Sequence, residues 1–249
     1  MRPEQTRAQI RRAELSTALG SVRSRIADAC RAAGRDEDTV TLIAVTKTYP
    51  AEDVASLVRL GVLDVGESTD QQASAKVGAT AALLAAQPDG SVAPRWHFVG
   101  QLQRRKARSV AGYAFAVHSL DRLALVPLLA SARQRAERAP LEVFVQLSLD
   151  GDPARGGVSV EGMTPLADAV AASEGLRLRG VMAIAPIDAD PDAAFGLLAE
   201  AAARLRASHP GAFAISAGMS NDLEVAVRHG ATHVRVGTAL LGRRDQIFS

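Results

Sequence analysis

Thr41-Leu-Ile-Ala-Val-Thr-Lys47-Thr-Tyr-Pro50 is a continuous apolar run closed by a lysine. Such a run suits a parallel strand buried on both faces, although a short buried helix gives the same pattern. The rest of the chain decides between them. Seven more short strand candidates follow, at 63–67, 95–100, 114–119, 142–147, 178–184, 212–216 and 232–236. Helical patterns separate them, near 51–60, 70–84, 102–111, 122–138, 164–173, 192–208 and 221–229. A long helical pattern over about residues 2–33, stopped by Gly34, precedes the first strand. Eight βα units in about 210 residues predict a (β/α)8 TIM barrel, a fold of about 250 residues, here with an extra N-terminal helix. An open doubly wound sheet is the alternative, weakened by the absence of a GxGxxG fingerprint. No Ser/Gly-rich linker divides the chain, so residues 1–249 are expected to form one domain, with 1–34 as a helical segment packed on it.

Lysine is scarce: only Lys47, Lys76 and Lys106 stand against 26 arginines. Arginine serves equally as a plain surface charge, so a retained Lys47 suggests a need for the amine. An amine can lose its proton and form a Schiff base with an aldehyde, which a guanidinium cannot do. On Lys47 alone, a strand-terminal lysine snorkelling into solvent is an equal reading.

Composition removes several function classes. Hydrophobic residues at 47% and charged residues at 22% are those of a soluble globular protein. Aromatics at 4% argue against a base-stacking surface for single-stranded nucleic acid. The basic cluster Arg104-Arg105-Lys106-Ala-Arg108 reads as a solvated helix face, so no nucleic-acid partner is expected. The single Cys30 excludes an intrachain disulfide, and no His/Cys cluster suggests zinc. There is neither a membrane-spanning apolar run nor a signal-peptide core, so a cytoplasmic location and no membrane partner are expected.

In a barrel, chemistry sits where strands end. The strand-end residues are Lys47, Gly66-Glu67-Ser68, Gly100-Gln101, His118-Ser119, Gln146, Met182, Ser216 to Ser220 and Arg235 to Thr238. After the seventh strand, Ser216-Ala-Gly218-Met219-Ser220-Asn-Asp222 passes into a helix, with Ser220 as its expected N-cap. Amides from Gly218 to Asn221 would then face an anion. A second turn, Arg235-Val-Gly237-Thr238, follows the eighth strand, where Gly237 admits close approach and Thr238 offers a hydroxyl and an amide. Barrels often hold phosphate at these two loops. Each turn alone is only a cap or a turn; together, opposite Lys47, they favour a ligand with both a phosphate and an aldehyde. Pyridoxal 5′-phosphate fits. Arg235 would lie beside its pyridine ring and keep the ring nitrogen unprotonated, since one cation opposes another nearby. A salt bridge in the barrel wall is the structural alternative for Arg235.

The chain resembles the pyridoxal phosphate homeostasis protein family, single-domain barrels related to the N-terminal domain of alanine racemase. The resemblance spans about residues 26–243. It rests on Ala44-Val-Thr-Lys47-Thr, Trp96-His-Phe-Val-Gly100-Gln-Leu-Gln103 with Lys106, and Val117-His-Ser-Leu-Asp-Arg122. Leu178-Arg-Gly-Val-Met182, Gly218-Met-Ser220-Asn-Asp222-Leu-Glu224 and Val234-Arg235-Val-Gly237-Thr238-Ala complete it. It implies that Lys47 holds pyridoxal 5′-phosphate as a Schiff base. It implies further that Ser216, Ser220, Gly237 and Thr238 bind phosphate and Arg235 faces the pyridine nitrogen, with Met219, Ser68 and Met182 completing the cofactor-binding set. The implied role is vitamin B6 homeostasis in the cytoplasm without established turnover, with pyridoxal-phosphate-dependent apo-enzymes as candidate acceptors. The chain departs from the family pattern at Ser68 (usually Asn), at Arg104-Arg105 beside Lys106, at Arg155 (usually Lys) and at Ala217 (usually Met).

Two enzyme readings are weighed against this one. A two-base racemase needs a second acid/base across from the lysine. Alanine racemases take it from a C-terminal β domain, which is expected to be missing here because Arg243 to Ser249 follow the eighth strand directly. Tyr49 and Tyr113 are the only tyrosines. The first is too near Lys47 in sequence to reach the far face, and the second is expected at the barrel's bottom. A Schiff-base aldolase needs a carboxylate or second lysine beside the amine, and Glu67 is the only obvious strand-end acid. The alternative role for Glu67 is a helix cap or core partner.

Overall fold

The computed structural model describes residues 3–86, 92–152 and 155–242. The expected domain limits at 1–2 and 243–249, and Pro153-Ala154 before Arg155, lie outside the described residues. Eight strands pair in parallel in chain order: β1 (Thr41–Val45), β2 (Asp64–Glu67), β3 (Arg95–Phe98), β4 (Ala116–Leu120), β5 (Leu141–Gln146), β6 (Leu176–Met182), β7 (Ala214–Ser216) and β8 (His233–Val236). Pairing of Thr41 with His233 and of Ala44 with Val236 brings β8 back onto β1 and closes the barrel. Helices α1 (Pro3–Ala32), α2 (Ala51–Arg59), α3 (Asp70–Ala85), α4 (Ala107–Tyr113), α5 (Val126–Arg135), α6 (Val160–Ala171), α7 (Pro191–Ser208) and α8 (Leu223–Arg228) alternate with the strands. A short α9 (Thr238–Leu241) follows β8; nothing in the apolar periodicity announces so short a helix.

Alternation along the strands explains two separate cores. Leu141, Val143 and Val145 of β5 pack outward under the helices, while Phe144 joins Ala116, Met182 and Ala214 inside the barrel. In β3 and β8 the outward residues are Trp96, Phe98, Val234 and Val236, and His97 and Arg235 alternate with them. The strands are therefore apolar on the helix side and partly polar on the inside. Several are less continuously apolar than the first strand suggests.

α1 is an amphipathic helix. Leu15, Leu19, Val22 and Ile26 recur at helical spacing and are buried against Val54, Leu57 and Val58 of α2, Leu223 of α8 and Leu240 of α9. Two of its arginines reach the barrel's last elements. Arg11 donates to Asp53 (2.8 Å) and to the Leu241 carbonyl (3.0 Å). Arg25 donates to both Glu224 oxygens (2.6 and 2.9 Å) and to the Ser220 carbonyl (2.9 Å). This helix therefore braces the loop after β7 and the end of α9. No helix among the described residues is long and apolar enough to cross a membrane.

Candidate functional site

β1 ends at Val45, so Lys47 lies in the turn beyond it, not within the strand. Its side chain is exposed and makes no hydrogen bond or ion pair among the described residues. The backbone beneath it is fixed. The Thr46 carbonyl accepts from Lys76 Nζ (2.7 Å), and the Thr46 hydroxyl donates to Glu67 (2.7 Å). Lys76 closes the triangle with a 2.6 Å bond to the same Glu67 oxygen. Glu67 and Lys76 are both buried, so Glu67 is a core partner committed to Lys76. Sequence reading weighed that role for Glu67 but assigned nothing to Lys76.

Lys47 opens onto a cavity of about 760 Å3, within the range of small-molecule sites. Of the other expected site residues, Ser68, Met219, Ser220, Arg235, Gly237 and Thr238 line the same cavity. Ser68 approaches closely: a Cβ on Gly100 would come within 1.9 Å of the Ser68 carbonyl oxygen, so only glycine fits there. The walls are completed by Ile184, Pro186 and Ile187 after β6.

The loop after β7 differs from its expected form. Ser220 is not a helix cap; α8 begins at Leu223 with Asp222 in the cap position. Asp222 Oδ1 instead accepts the Met219 N–H at 2.5 Å, which tightens the turn and delays the helix. Gly218, at φ 89°, makes this turn possible, and a Cβ there would lie 2.7 Å from the Ala226 side chain. Ser220 is turned towards the other loop, where its hydroxyl accepts the Ala239 N–H at 3.3 Å. The Gly218 carbonyl accepts the Arg235 N–H at 2.9 Å. The two turns thus form one joined structure. Thr238, the first residue of α9, has an amide without an intrahelical acceptor and a hydroxyl without a partner among the described residues.

Two of the expected site residues lie behind the cavity wall. Ser216 is completely buried and does not line the cavity; its hydroxyl bridges Arg235 and His118 inside the barrel. Met182 also falls short of the cavity, because at the end of β6 its side chain turns inward onto Phe144 and Ala214.

Arg235 is buried and pairs with no carboxylate among the described residues, which removes the salt-bridge reading. Its guanidinium donates to Ser216 Oγ (2.7 Å) and to the Ala183 carbonyl (2.9 Å). Burial pushes its pKa down to about 10, opposed by the charge of Asp222. A fixed cation with only neutral partners is therefore held at the cavity wall.

Of the two tyrosines, Tyr49 lines this cavity and Tyr113 does not. Tyr49 donates to the Gly242 carbonyl at 2.6 Å. Tyr113 ends α4 and lines a different cavity, beside Thr80 and Trp96. Lys106 pairs with Asp70 at 3.2 Å, and Arg155 pairs with Asp150 and donates to the Ala185 carbonyl. Among the described residues no cluster could hold a metal ion.

Comparison with known proteins fits this geometry. The pattern of the alanine racemase N-terminal domain matches residues 18–245. The pyridoxal phosphate homeostasis protein of Mycobacterium tuberculosis (strain ATCC 25618 / H37Rv) is 51% identical over 247 residues, covering 94% of each chain. The chain belongs to the pyridoxal phosphate homeostasis protein family. Among solved relatives of this family chain, PipY of Synechococcus elongatus PCC7942, solved with PLP bound, has a TM-score of 0.75 at 30% identity. The match covers 92% of this chain and 100% of PipY. The crystal structure of an unknown protein from Bifidobacterium adolescentis reaches a TM-score of 0.84 at 27% identity, covering 93% of this chain and 96% of that one.

Proposed function

We propose that this chain binds pyridoxal 5′-phosphate and serves vitamin B6 homeostasis, with Lys47 as its covalent attachment point. One observation carries the reading: an unpartnered amine, a buried cation and two joined turns converge on one cavity. When bound, pyridoxal phosphate supplies an aldehyde to amines and an electron-withdrawing ring. The residues present suit it. Lys47 would offer its amine from a turn whose backbone Lys76 and Glu67 hold still. Gly237, Thr238, Ser220 and Met219 would receive the phosphate, and Arg235 would face the ring nitrogen and keep it unprotonated. Ser68 would line the ring's edge.

In this reading the protein holds the cofactor in the cytoplasm and passes it to apo-enzymes rather than turning over a substrate. Commitment of Tyr49 to Gly242 supports this over racemization, and commitment of Glu67 to Lys76 supports it over an aldolase. The test is an absorbance spectrum with added pyridoxal phosphate, before and after borohydride, followed by peptide mapping. A reducible band and a pyridoxyl adduct on Lys47 are expected. An adduct on Lys76 or Lys106, or no band at all, would overturn the assignment.

A further inference from the structure

Beneath the cavity, the barrel interior contains a file of polar residues that ends at Arg235 in the cavity wall. Asp64, near the start of β2, accepts from Arg95 at 2.8 Å, and both residues line a cavity of about 430 Å3 at the opposite end of the barrel. Asp64 Oδ1 is 2.8 Å from His97 Nε2. His97 Nδ1 is 2.9 Å from His118 Nε2. His118 Nδ1 is 2.8 Å from Ser216 Oγ, which accepts from Arg235 at 2.7 Å. All five file members are buried, and the file crosses five strands from one end of the barrel to the other.

Chemistry fixes the direction of the bonds at the two ends of the file. A guanidinium can only donate and a carboxylate can only accept. Ser216 accepts from Arg235, so its own proton is free to go to His118 Nδ1. His118 then carries its proton on Nε2 and gives it to His97 Nδ1, and His97 gives its Nε2 proton to Asp64. His118 is neutral in this arrangement. That agrees with burial holding His118 well below its ordinary range. Burial alone would raise Asp64, but the hydrogen bonds from His97 and Arg95 keep it below the usual carboxylate value. His118 is locked in place by stacking on Phe144 at 4.2 Å between ring centroids. His233 on β8 faces both rings from 6.1 and 6.5 Å and does not interrupt the file.

We propose that Asp64, His97, His118 and Ser216 form a one-way hydrogen-bond relay whose function is to position Arg235 in the cavity. Reversing the relay would take His118 away as the acceptor of the Ser216 proton and leave that buried proton without a partner. The negative charge of Asp64 therefore gives the Ser216 proton an acceptor and fixes the rotation of the hydroxyl to which Arg235 donates. These four are positioning residues. Their bearing on the cofactor ring rests on the proposed function; the relay itself does not.

Nuclear magnetic resonance of isotope-labelled histidines in the cofactor-free protein tests the relay. His97 and His118 are expected to be neutral and protonated on Nε2. Asp64→Ala, in protein with an unchanged backbone spectrum, should lose the single tautomer at His118, a residue that position 64 does not touch. Asp64→Leu, which has no acceptor for His97, gives the same readout if the alanine variant does not fold. An Nδ1-protonated His118 in the wild type, or a His118 pattern indifferent to the loss of Asp64, would overturn the relay. With pyridoxal phosphate added, Ser216→Ala should shift the absorbance maximum while the borohydride adduct stays on Lys47. An unshifted maximum with that adduct present would show that the relay does not reach the ring. A missing adduct alongside the expected tautomers would count against the functional reading and leave the relay standing.

Discussion

Replacing His233 with asparagine should flatten the protein's loss of stability in mild acid. His233 lies at the start of β8, facing Phe144 and the two relay histidines, with Nδ1 2.8 Å from the Thr232 hydroxyl. Burial lowers its pKa to about 3. In the unfolded chain a histidine titrates near 6.5. Between these values the unfolded state binds a proton that the folded state refuses, so stability falls as pH falls. Each pH unit below the unfolded value costs about 1.4 kcal/mol, and integration from pH 7 to pH 5 gives about 2 kcal/mol for this one group. The loss stops growing only near pH 3, where the folded protein also takes the proton. His118 acts in the same direction, since burial lowers its pKa too. Asp64 acts in another window. Its folded pKa is depressed, so its contribution is intact at pH 5 and disappears only as pH falls through the folded value. Urea unfolding at pH 7, 6 and 5 measures the difference. His233→Asn should lose about 2 kcal/mol less than the wild type over this interval. Equal losses in the two proteins would refute the claim that His233 is neutral in the fold.

Other substitutions separate the site from its support. Lys47→Ala should abolish the borohydride-trapped adduct while changing stability by no more than about 0.5 kcal/mol, because the side chain is exposed and unpartnered; mass spectrometry and a melting curve check both halves. Thr238→Ala and Ser220→Ala should each weaken retention of a phosphate ester by about 1–3 kcal/mol, read by equilibrium dialysis of pyridoxal phosphate. Unchanged affinity in both would remove these turns from the site. Lys76→Met leaves the buried Glu67 unpaired and should cost about 3–5 kcal/mol in urea unfolding. The double variant with Glu67→Leu should recover much of that loss.

The barrel was legible because its signals are local and repeated. Each strand candidate lies within about two residues of an observed strand, since apolar runs bounded by Gly, Pro or polar residues are strong strand markers. Helix starts were less legible. α4 begins at Ala107 after a short 3-10 turn, and α6 begins at Val160 under a Ser159 cap. The cavity residues could be found because turns after strands have characteristic chemistry. That Ser216 and Met182 point into the barrel was not legible, because a strand end does not say whether a side chain points to the mouth or inward. The polar file left a signal that could have been used. In Arg95-Trp-His97-Phe98 and His233-Val-Arg235-Val236 the polar residues alternate with apolar ones, which for a buried strand means a polar interior face. The brace from Arg25 to Ser220 left none, because the two residues are 195 positions apart.

The interior file is also where this barrel departs from what stability alone would select. A barrel centre filled with branched aliphatic layers needs no hydrogen-bond partners. Here, beside the small apolar cluster around Phe144, the interior holds a carboxylate at one end, a guanidinium at the other and two imidazoles between. Replacing such buried polar groups by well-packed apolar ones is often neutral or stabilising. Retaining them makes sense only if one of the charges is needed where it stands. Asp64 already has Arg95 as a partner at its own end of the barrel. Arg235 has only neutral acceptors, yet it alone of the file lines the cavity. The cation is thus the element that the rest of the file exists to hold. A local rule of core packing is broken where the functional site lies, as expected when a structure gives up stability for a site.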